Sequence, residues 1–140
     1  METPSYTIAS PLCVTGDFRV YRGSLTENRT PILIKVPASP RPVPSVVQRL
    51  EHEYEIARAL DPSRAVRPLH LEWRAGMVAL LLEDSGGQFL ADLLKSGPMA
   101  VARFLQIAIG ISEALVEVHR NGFVHKDINP RNVIIDPGDG

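Results

Sequence analysis

The chain has 140 residues, a length that favours one domain or part of one. Hydrophobic residues make up 44% and charged residues 22%, as in ordinary globular proteins, and the net charge of −1 indicates neither nucleic acid nor an anionic membrane as a partner. A single cysteine, Cys13, excludes an internal disulfide and a cysteine-based zinc site. The charge thus predicts that the protein binds neither nucleic acid nor a membrane. The N-terminus lacks the pattern of a signal peptide, and together with the single cysteine this predicts a cytoplasmic protein.

The first 84 residues are predicted to be mostly β-strand with one helix. Short runs at 6–8 and 18–21, joined by a turn at 15–17, predict two strands. Residues 32–36 (Ile-Leu-Ile-Lys-Val) predict a strand that is apolar on both faces and carries one lysine. A proline-rich connection leads to a helix in which Ser45 and Gln48 form the pattern of a capping box. Two further strands follow, at 68–73 and 77–82, and Ala75-Gly76 between them predicts a hairpin.

A polar, glycine-rich break at 83–87 separates this strand-rich part from a helical part. A short helix at 89–94 is predicted to precede a long amphipathic helix at 101–119, which Asn121-Gly122 would end. Residues 133–135 predict a short strand, and 136–140 predict a turn.

The stretch from His125 to Asn132 (His-Lys-Asp-Ile-Asn-Pro-Arg-Asn) carries irregularly spaced polar groups between two apolar segments. Such a pattern is typical of a catalytic loop held by a packed scaffold. Asp127 can accept or orient a proton, and the amide oxygen of Asn132 can bind a hard cation such as Mg²⁺. The spacing H-x-D-x-x-x-x-N is that of phosphoryl-transfer enzymes.

From about residue 6 to residue 136 the chain resembles the protein kinase family. The resemblance implies an α+β kinase-like fold, with an antiparallel five-stranded N-lobe and one helix at 1–84. The first helices and the catalytic loop of a C-lobe would follow at 85–140. The loop is most similar to those of kinase-like head domains in large bacterial and fungal multidomain signalling proteins. ATP and Mg²⁺ are the implied cofactors, and a protein with a serine or threonine hydroxyl is the implied substrate.

In a kinase, a lysine of the third strand holds the ATP phosphates and pairs with a glutamate of the next helix. Lys35 matches this lysine, although a lysine at the edge of a sheet that reaches solvent would fit the pattern equally well. The helix offers Glu51, Glu53 and Glu55. Glu53 lies 18 positions after Lys35 and is followed by apolar residues at the spacing that this helix shows in kinases, so the resemblance favours Glu53.

The resemblance assigns the remaining site residues position by position. Asp127 would be the catalytic base, Asn132 the Mg²⁺ ligand and His125 a structural member of the loop. The resemblance also implies which residues contact the nucleotide. Lys35 would bind its phosphates, and Gly16 and Val20 belong to the stretch that matches the glycine-rich loop. The backbones of Glu83 and Ser85, in the hinge that follows a gatekeeper at Leu82, would bind the adenine edge, and Arg131 would lie near the γ-phosphate.

Three positions depart from the kinase pattern. Gly16 alone remains of the glycine-rich loop, Leu33 replaces an alanine beside the adenine, and Asn129 replaces a lysine near the γ-phosphate. These departures favour an alternative, a pseudokinase-like module that binds nucleotide or protein. A second alternative is a small-molecule kinase of the aminoglycoside-phosphotransferase type, although Lys126 is closer to the arginine of protein kinases than to the glycine of that group.

No Asp-Phe-Gly motif follows Asn132, and kinases need its aspartate as a second metal ligand. We therefore expect a fragment with little phosphotransfer activity on its own. An incomplete helical lobe is expected to expose apolar residues around Phe104, Ile107 and Ile111, and to associate through them.

Overall fold

The computed structural model describes residues 3–136, so most of the turn predicted at 136–140 lies outside the described residues. The chain divides into two compact units. The first unit takes in the chain up to residue 58 together with residues 66–84, and the second takes in residues 59–65 and the chain from residue 85 onward.

The first unit is built on a five-stranded antiparallel sheet in the order β1-β2-β3-β5-β4. Its elements are β1 (Tyr6–Val14), β2 (Phe18–Leu25), β3 (Pro31–Pro37), the helix α1 (Pro44–Ala59), β4 (Pro68–Arg74) and β5 (Met77–Glu83). The predicted fold of five antiparallel strands and one helix is confirmed. β1 and β2 are longer than predicted. β1 is an edge strand with two register shifts, one of them directly after Pro11, and an edge strand tolerates a proline in this way.

The core of this unit lies along β3 and β5, the strands with neighbours on both sides. Ile32, Ile34, Leu80 and Leu81 are at most 1% exposed. Successive strand residues face opposite sides, so Ile32 and Ile34 pack on one face with Ala79, while Lys35 lies on the other face. The central position of β3 explains why the strand is apolar on both faces.

α1 begins at Pro44, so Ser45 lies inside its first turn and does not precede the helix as the predicted capping box required. Proline is well suited to the first helical position, because it has no N–H to satisfy there and its φ angle is already helical. Val46, Leu50 and Ile56 are the buried residues of α1.

The predicted hairpin between β4 and β5 is confirmed. Its two turn residues, Ala75 and Gly76, have φ angles of 51° and 78°. Two positive φ angles are the signature of the tight turn that matches the twist of paired strands.

The second unit contains β6 (Gln88–Phe89), α2 (Leu90–Leu94), α3 (Val101–Arg120) and β7 (Ile134–Ile135). β6 and β7 pair in antiparallel fashion, and the Leu90 amide donates to the Val133 carbonyl at 2.9 Å. A Cβ at Gly87 would lie 2.7 Å from the Ile135 carbonyl oxygen, so only glycine allows this close approach.

α3 ends as predicted at Asn121-Gly122. Gly122 has a φ of 82°, and its amide donates to the His119 carbonyl at 3.0 Å. This is the left-handed cap that satisfies the last carbonyls of a helix.

α3 also exposes apolar side chains, although not the whole set predicted. Phe104 is 57% exposed as expected, whereas Ile107 and Ile111 are partly buried. Leu105 and Ile109 are exposed instead, at 50% and 58%, because they lie on the helix face away from the partly buried positions. No helix among the described residues is long and apolar enough to cross a membrane.

Candidate active site

Lys35 and Glu53 form a close ion pair in the first unit. The Lys35 Nζ lies 2.7 Å from Glu53 Oε2, and the two side chains are 9% and 35% exposed. Lys35 lies in a central strand, which excludes the alternative of a lysine at the sheet edge that reaches solvent. Of the three glutamates considered on α1, Glu53 is the one that contacts the ammonium group. A buried ammonium needs such a partner, because leaving it unpaired would cost several kcal/mol.

The surroundings of Lys35 are apolar. Val20 and Leu80 lie opposite it on the two neighbouring strands, and Leu33 lies opposite Leu82 on the same face of the sheet. All four apolar side chains are at most 7% exposed. Together they form a buried apolar layer beside Lys35 on this face of the sheet.

The β1–β2 connection is a tight turn and not a long glycine-rich loop. The Thr15 amide donates to the Phe18 carbonyl at 2.8 Å, and the Thr15 hydroxyl accepts from the Phe18 amide at 3.0 Å. Gly16 does not have a positive φ, and a Cβ there would meet no atom within 4 Å. The backbone geometry of this turn therefore does not require glycine at position 16.

The end of β5 and the residue that follows it are held by backbone hydrogen bonds and by two ion pairs, one of them between Arg67 and Glu83 at 3.9 Å. The Glu83 amide donates to the Arg67 carbonyl at 2.9 Å, so any contact between this residue and an adenine edge would have to use its carbonyl. Asp84, with a side chain only 10% exposed, pairs with Arg22 at 3.0 Å. In the second unit, the Ser85 hydroxyl donates to Asp136.

The loop that contains Asp127 is organised around this carboxylate. Asp127 Oδ1 accepts from the Asn129 amide group and Oδ2 accepts from the Asn132 amide group, both at 2.9 Å. The backbone amide of Asp127 donates to His125 Nδ1 at 3.2 Å. His125 is partly exposed, and its structural role in the loop stays a prediction.

Two features of this loop were missed by sequence reasoning. Asn129, noted only as a departure from the kinase lysine, binds the Asp127 carboxylate and accepts from the Arg131 amide at 2.9 Å. Lys126 has a φ of 71°, a left-handed conformation that is costly for a residue with a side chain. Strain of this kind persists where the surrounding contacts enforce it.

The loop contains one group suited to a divalent cation. Because the Asn132 amide nitrogen donates to Asp127, the amide oxygen of Asn132 points elsewhere and accepts no hydrogen bond from the described residues. Residues 3–136 contain no group of three or more His, Cys, Asp or Glu side chains placed to hold a metal ion. A Mg²⁺ ion bound by Asn132 would therefore take most of its ligands from phosphate and water, as is usual for this ion.

The predicted site residues thus fall into two sets. Gly16, Val20, Lys35, Glu53 and Glu83 belong to the first unit, and Ser85, Asp127, Arg131 and Asn132 belong to the second. The structure brings Lys35 into contact with Glu53 in the first set and Asp127 into contact with Asn132 in the second, while the Arg131 side chain is exposed.

Comparison with known proteins agrees with this fold. The model of the protein tyrosine and serine/threonine kinase family matches residues 14–139. The chain therefore belongs to the protein kinase family.

Curated relatives extend the comparison. Over 90 residues, or 64% of this chain, it is 29% identical to the serine/threonine-protein kinase pkn2 of Myxococcus xanthus, of which it covers 11%. It is 29% identical over 91 residues to the serine/threonine-protein kinase PrkC of Bacillus subtilis, again 64% of this chain and 14% of the relative. It is 31% identical over 91 residues to the Aurora/IPL1-related protein kinase 2 of Caenorhabditis briggsae, 64% of this chain and 30% of the relative. The chain thus spans between about a tenth and a third of the length of these relatives.

Proposed function

We propose that the chain carries the nucleotide-binding part and the catalytic loop of a serine/threonine protein kinase. The observation that supports this most directly is the contact between Lys35 and Glu53 at 2.7 Å. In kinases this contact prepares the lysine for the α- and β-phosphates of ATP. Family membership and relatives named serine/threonine-protein kinases support the same reaction, the transfer of the γ-phosphoryl group to a protein hydroxyl.

The proposed roles follow from the chemistry of each group. Lys35 binds phosphate oxygens, and Glu53 fixes the direction of the ammonium group. Asp127 accepts the proton of the substrate hydroxyl while the new O–P bond forms and the bond between the γ-phosphorus and the bridging oxygen breaks. Asn132 supplies an oxygen to Mg²⁺, which neutralises the phosphate charge when bound. Arg131 would add positive charge for the γ-phosphate.

The adenosine part of the nucleotide would be held mainly by shape and by the backbone. Val20 and Leu33 offer apolar contact to the adenine, and the Glu83 carbonyl and the Ser85 backbone are proposed to bind its edge. Gly16 is proposed to lie near the phosphates, where its turn would need no particular side chain. Such contacts place few demands on side-chain identity, so the sequence supports them only by their position along the chain.

Nucleotide binding can be tested by calorimetric titration of the 140-residue chain with ATP, with and without Mg²⁺. We expect ATP to bind more tightly with Mg²⁺. Lys35→Met is expected to weaken ATP about tenfold or more, since it removes a charge-assisted phosphate contact. Arg58→Gln, at the C-terminal end of α1, is the control and should bind ATP as tightly as the unchanged chain does. Absence of binding at millimolar ATP would contradict the proposal.

Phosphoryl transfer is a separate matter, because the aspartate of an Asp-Phe-Gly motif is absent from the 140 residues. We expect nucleotide binding with little transfer to a protein substrate. A radiolabelled-phosphate assay measures this directly. Strong Mg²⁺-dependent transfer that Asp127→Ala abolishes would show that one metal ligand from this loop is enough.

A regulatory module that binds nucleotide without catalysis is the second candidate. The contact that favours it is that between Asn129 and Asp127, because the residue in the place of the γ-phosphate lysine binds the carboxylate instead. Restoring the lysine with Asn129→Lys separates the candidates. The phosphotransfer activity of the variant is then measured in a longer chain that includes the second metal ligand. If the protein is a kinase, the variant should keep or gain phosphotransfer activity; if it is a binding module, the variant should show none.

A small-molecule phosphotransferase is not favoured, since the family model and the relatives described above are those of protein kinases. A screen of aminoglycosides and sugars against protein substrates tests this choice.

A cytoplasmic location stays a prediction from the single cysteine, and expression with a fluorescent tag would test it.

A further inference from the structure

Arg49 connects the β1–β2 turn to α1 inside the first unit. Its guanidinium group forms an ion pair with Asp17 in the turn, and the two side chains are 43% and 54% exposed. Its guanidinium carbon also lies 4.9 Å from the centre of the Phe18 ring. Phe18 itself is buried at 6% exposure, so the ring provides a fixed platform for the arginine.

The same ring contacts Lys35. The Lys35 Nζ lies 4.8 Å from the centre of the Phe18 ring, while its charge is balanced by Glu53. One aromatic ring therefore contacts two cations, each of which has its own carboxylate partner. The two pairs, Arg49–Asp17 and Lys35–Glu53, share Phe18 as a common contact.

The spacing on α1 makes this arrangement mechanically effective. Arg49 and Glu53 are four residues apart, so they lie on the same face of the helix, one turn from each other. The buried residues Val46, Leu50 and Ile56 already limit the movement of α1. Two contacts one turn apart further restrict rotation of the helix about its axis and its tilt relative to the sheet.

We propose that Arg49 is a positioning residue that, through Asp17 and Phe18, keeps Glu53 directed at Lys35. Asp17 would otherwise be an unfavourable charge near bound phosphates, and its pairing with Arg49 gives it a structural use. The importance of Lys35 for ATP rests on the proposed function. The effect of Arg49 on the Lys35–Glu53 contact does not, and it can be measured without nucleotide.

Competitive labelling of lysines with an amine-reactive reagent tests the contact. The sequence has three lysines, and two of them, Lys95 and Lys126, are exposed and serve as internal standards. Lys35 should react slowly in the unchanged chain, because it is buried and paired with Glu53. In Arg49→Gln we expect its rate relative to Lys95 to rise about three- to tenfold, the change expected from losing one ion pair and one cation–π contact.

The chain offers a closely matched control. Arg58, near the other end of α1, also pairs with a carboxylate, that of Glu55 at 3.6 Å, and also lies over a ring, that of Tyr54 at 5.3 Å. Arg58→Gln removes the same kinds of contact and should leave the labelling of Lys35 unchanged. Equal labelling of Lys35 in Arg49→Gln and in the unchanged chain would overturn the proposal, as would an equal increase in Arg58→Gln.

Exchanging the charges tests the part played by Asp17. The double variant Asp17→Arg with Arg49→Asp restores an ion pair at the same place, and should label Lys35 more slowly than Arg49→Gln does. A double variant that labels as fast as Arg49→Gln would overturn the role of Asp17.

Nucleotide affinity gives a readout that general loosening of the fold would not produce. Arg49→Gln is expected to weaken ATP several-fold more than adenosine, because only the phosphates depend on Lys35. Equal weakening of both ligands would show a general structural effect and overturn the positioning role. If the unchanged chain binds no ATP, the proposed function fails, while the labelling result still decides the inference about Arg49.

Discussion

Lys35 is held by a residue far along the chain, whereas Asp127 is held by near neighbours. The Lys35–Glu53 contact joins positions 18 apart and lies against a packed sheet. The contacts of Asp127 come from residues two and five positions later, in a loop that is half-exposed. The geometry of the first pair therefore depends on the folding of a whole unit, while that of the loop depends mostly on its own sequence. Mutations should act globally in the first case and locally in the second.

The largest effect is expected from Leu80→Ala in the first unit. Leu80 is fully buried and lies opposite Lys35, so its truncation leaves a cavity that should cost about 2–5 kcal/mol of unfolding free energy. Denaturant unfolding followed by circular dichroism measures this cost. Leu105→Ala, at a site that is 50% exposed in the second unit, is the control and should change little. Equal losses in the two variants would contradict the comparison.

A smaller loss is expected when a partly buried hydrogen bond is removed from the same unit. The Tyr6 hydroxyl donates to Glu72 Oε1 at 2.7 Å, and Glu72 is only 3% exposed. Tyr6→Phe leaves that carboxylate oxygen without this donor, which should cost about 1–3 kcal/mol. The same denaturant titration of Tyr54→Phe provides the control, and an equal loss there would refute the importance of the Glu72 contact.

The same tyrosine predicts a dependence on alkaline pH. Burial, followed by the hydrogen bond to Glu72, raises the pKa of Tyr6 from 10.0 to about 12. The folded chain thus holds the phenolic proton more tightly than the unfolded chain, so this stabilisation is complete below pH 10 and is lost as the pH rises toward 12. Denaturant midpoints at pH 9 and pH 11 should fall more in the unchanged chain than in Tyr6→Phe. Parallel falls would show that Tyr6 is not the group responsible.

The smallest effect is expected in the loop. Asn129→Ala removes the contact with Asp127 and the acceptor for the Arg131 amide, and should change global stability by less than about 1.5 kcal/mol. Hydrogen exchange should instead show faster exchange of the Arg131 amide. The Gly122 amide, bound to the end of α3, should keep its rate. A loss of protection that spreads to Gly122 would contradict the local character of the loop.

Much of the fold could be predicted because its signals are local. The run at 32–36 was apolar on both faces because β3 is central, and Ala75-Gly76 predicted a turn that the two positive φ angles confirm. The capping box failed because Pro44 begins α1 one residue before Ser45. The prediction of which α3 residues are exposed is only partly correct, since the helical period alone does not indicate which side of the helix is covered.

The candidate site was predictable where spacing carries chemistry and was missed where distant residues meet. The loop from His125 to Asn132 is visible as a motif, and the choice of Glu53 among three glutamates rests on the resemblance to the corresponding helix of kinases. The contact of Arg49 with Asp17 and Phe18 gave no sequence signal, because it joins a turn to a helix more than thirty positions away. The same holds for the bond between Tyr6 and Glu72.

That last bond also joins the two outer strands of the sheet, since β1 and β4 lie at its opposite ends. The sheet is thereby bent across its width, with the Tyr6 ring packed over the Ile32 and Ile34 face. Of the two strands with an open side, β1 carries a proline and two register shifts, features that discourage a foreign strand from pairing there. Self-association of this unit by strand addition at β1 is therefore disfavoured by the proline and the register shifts of that strand.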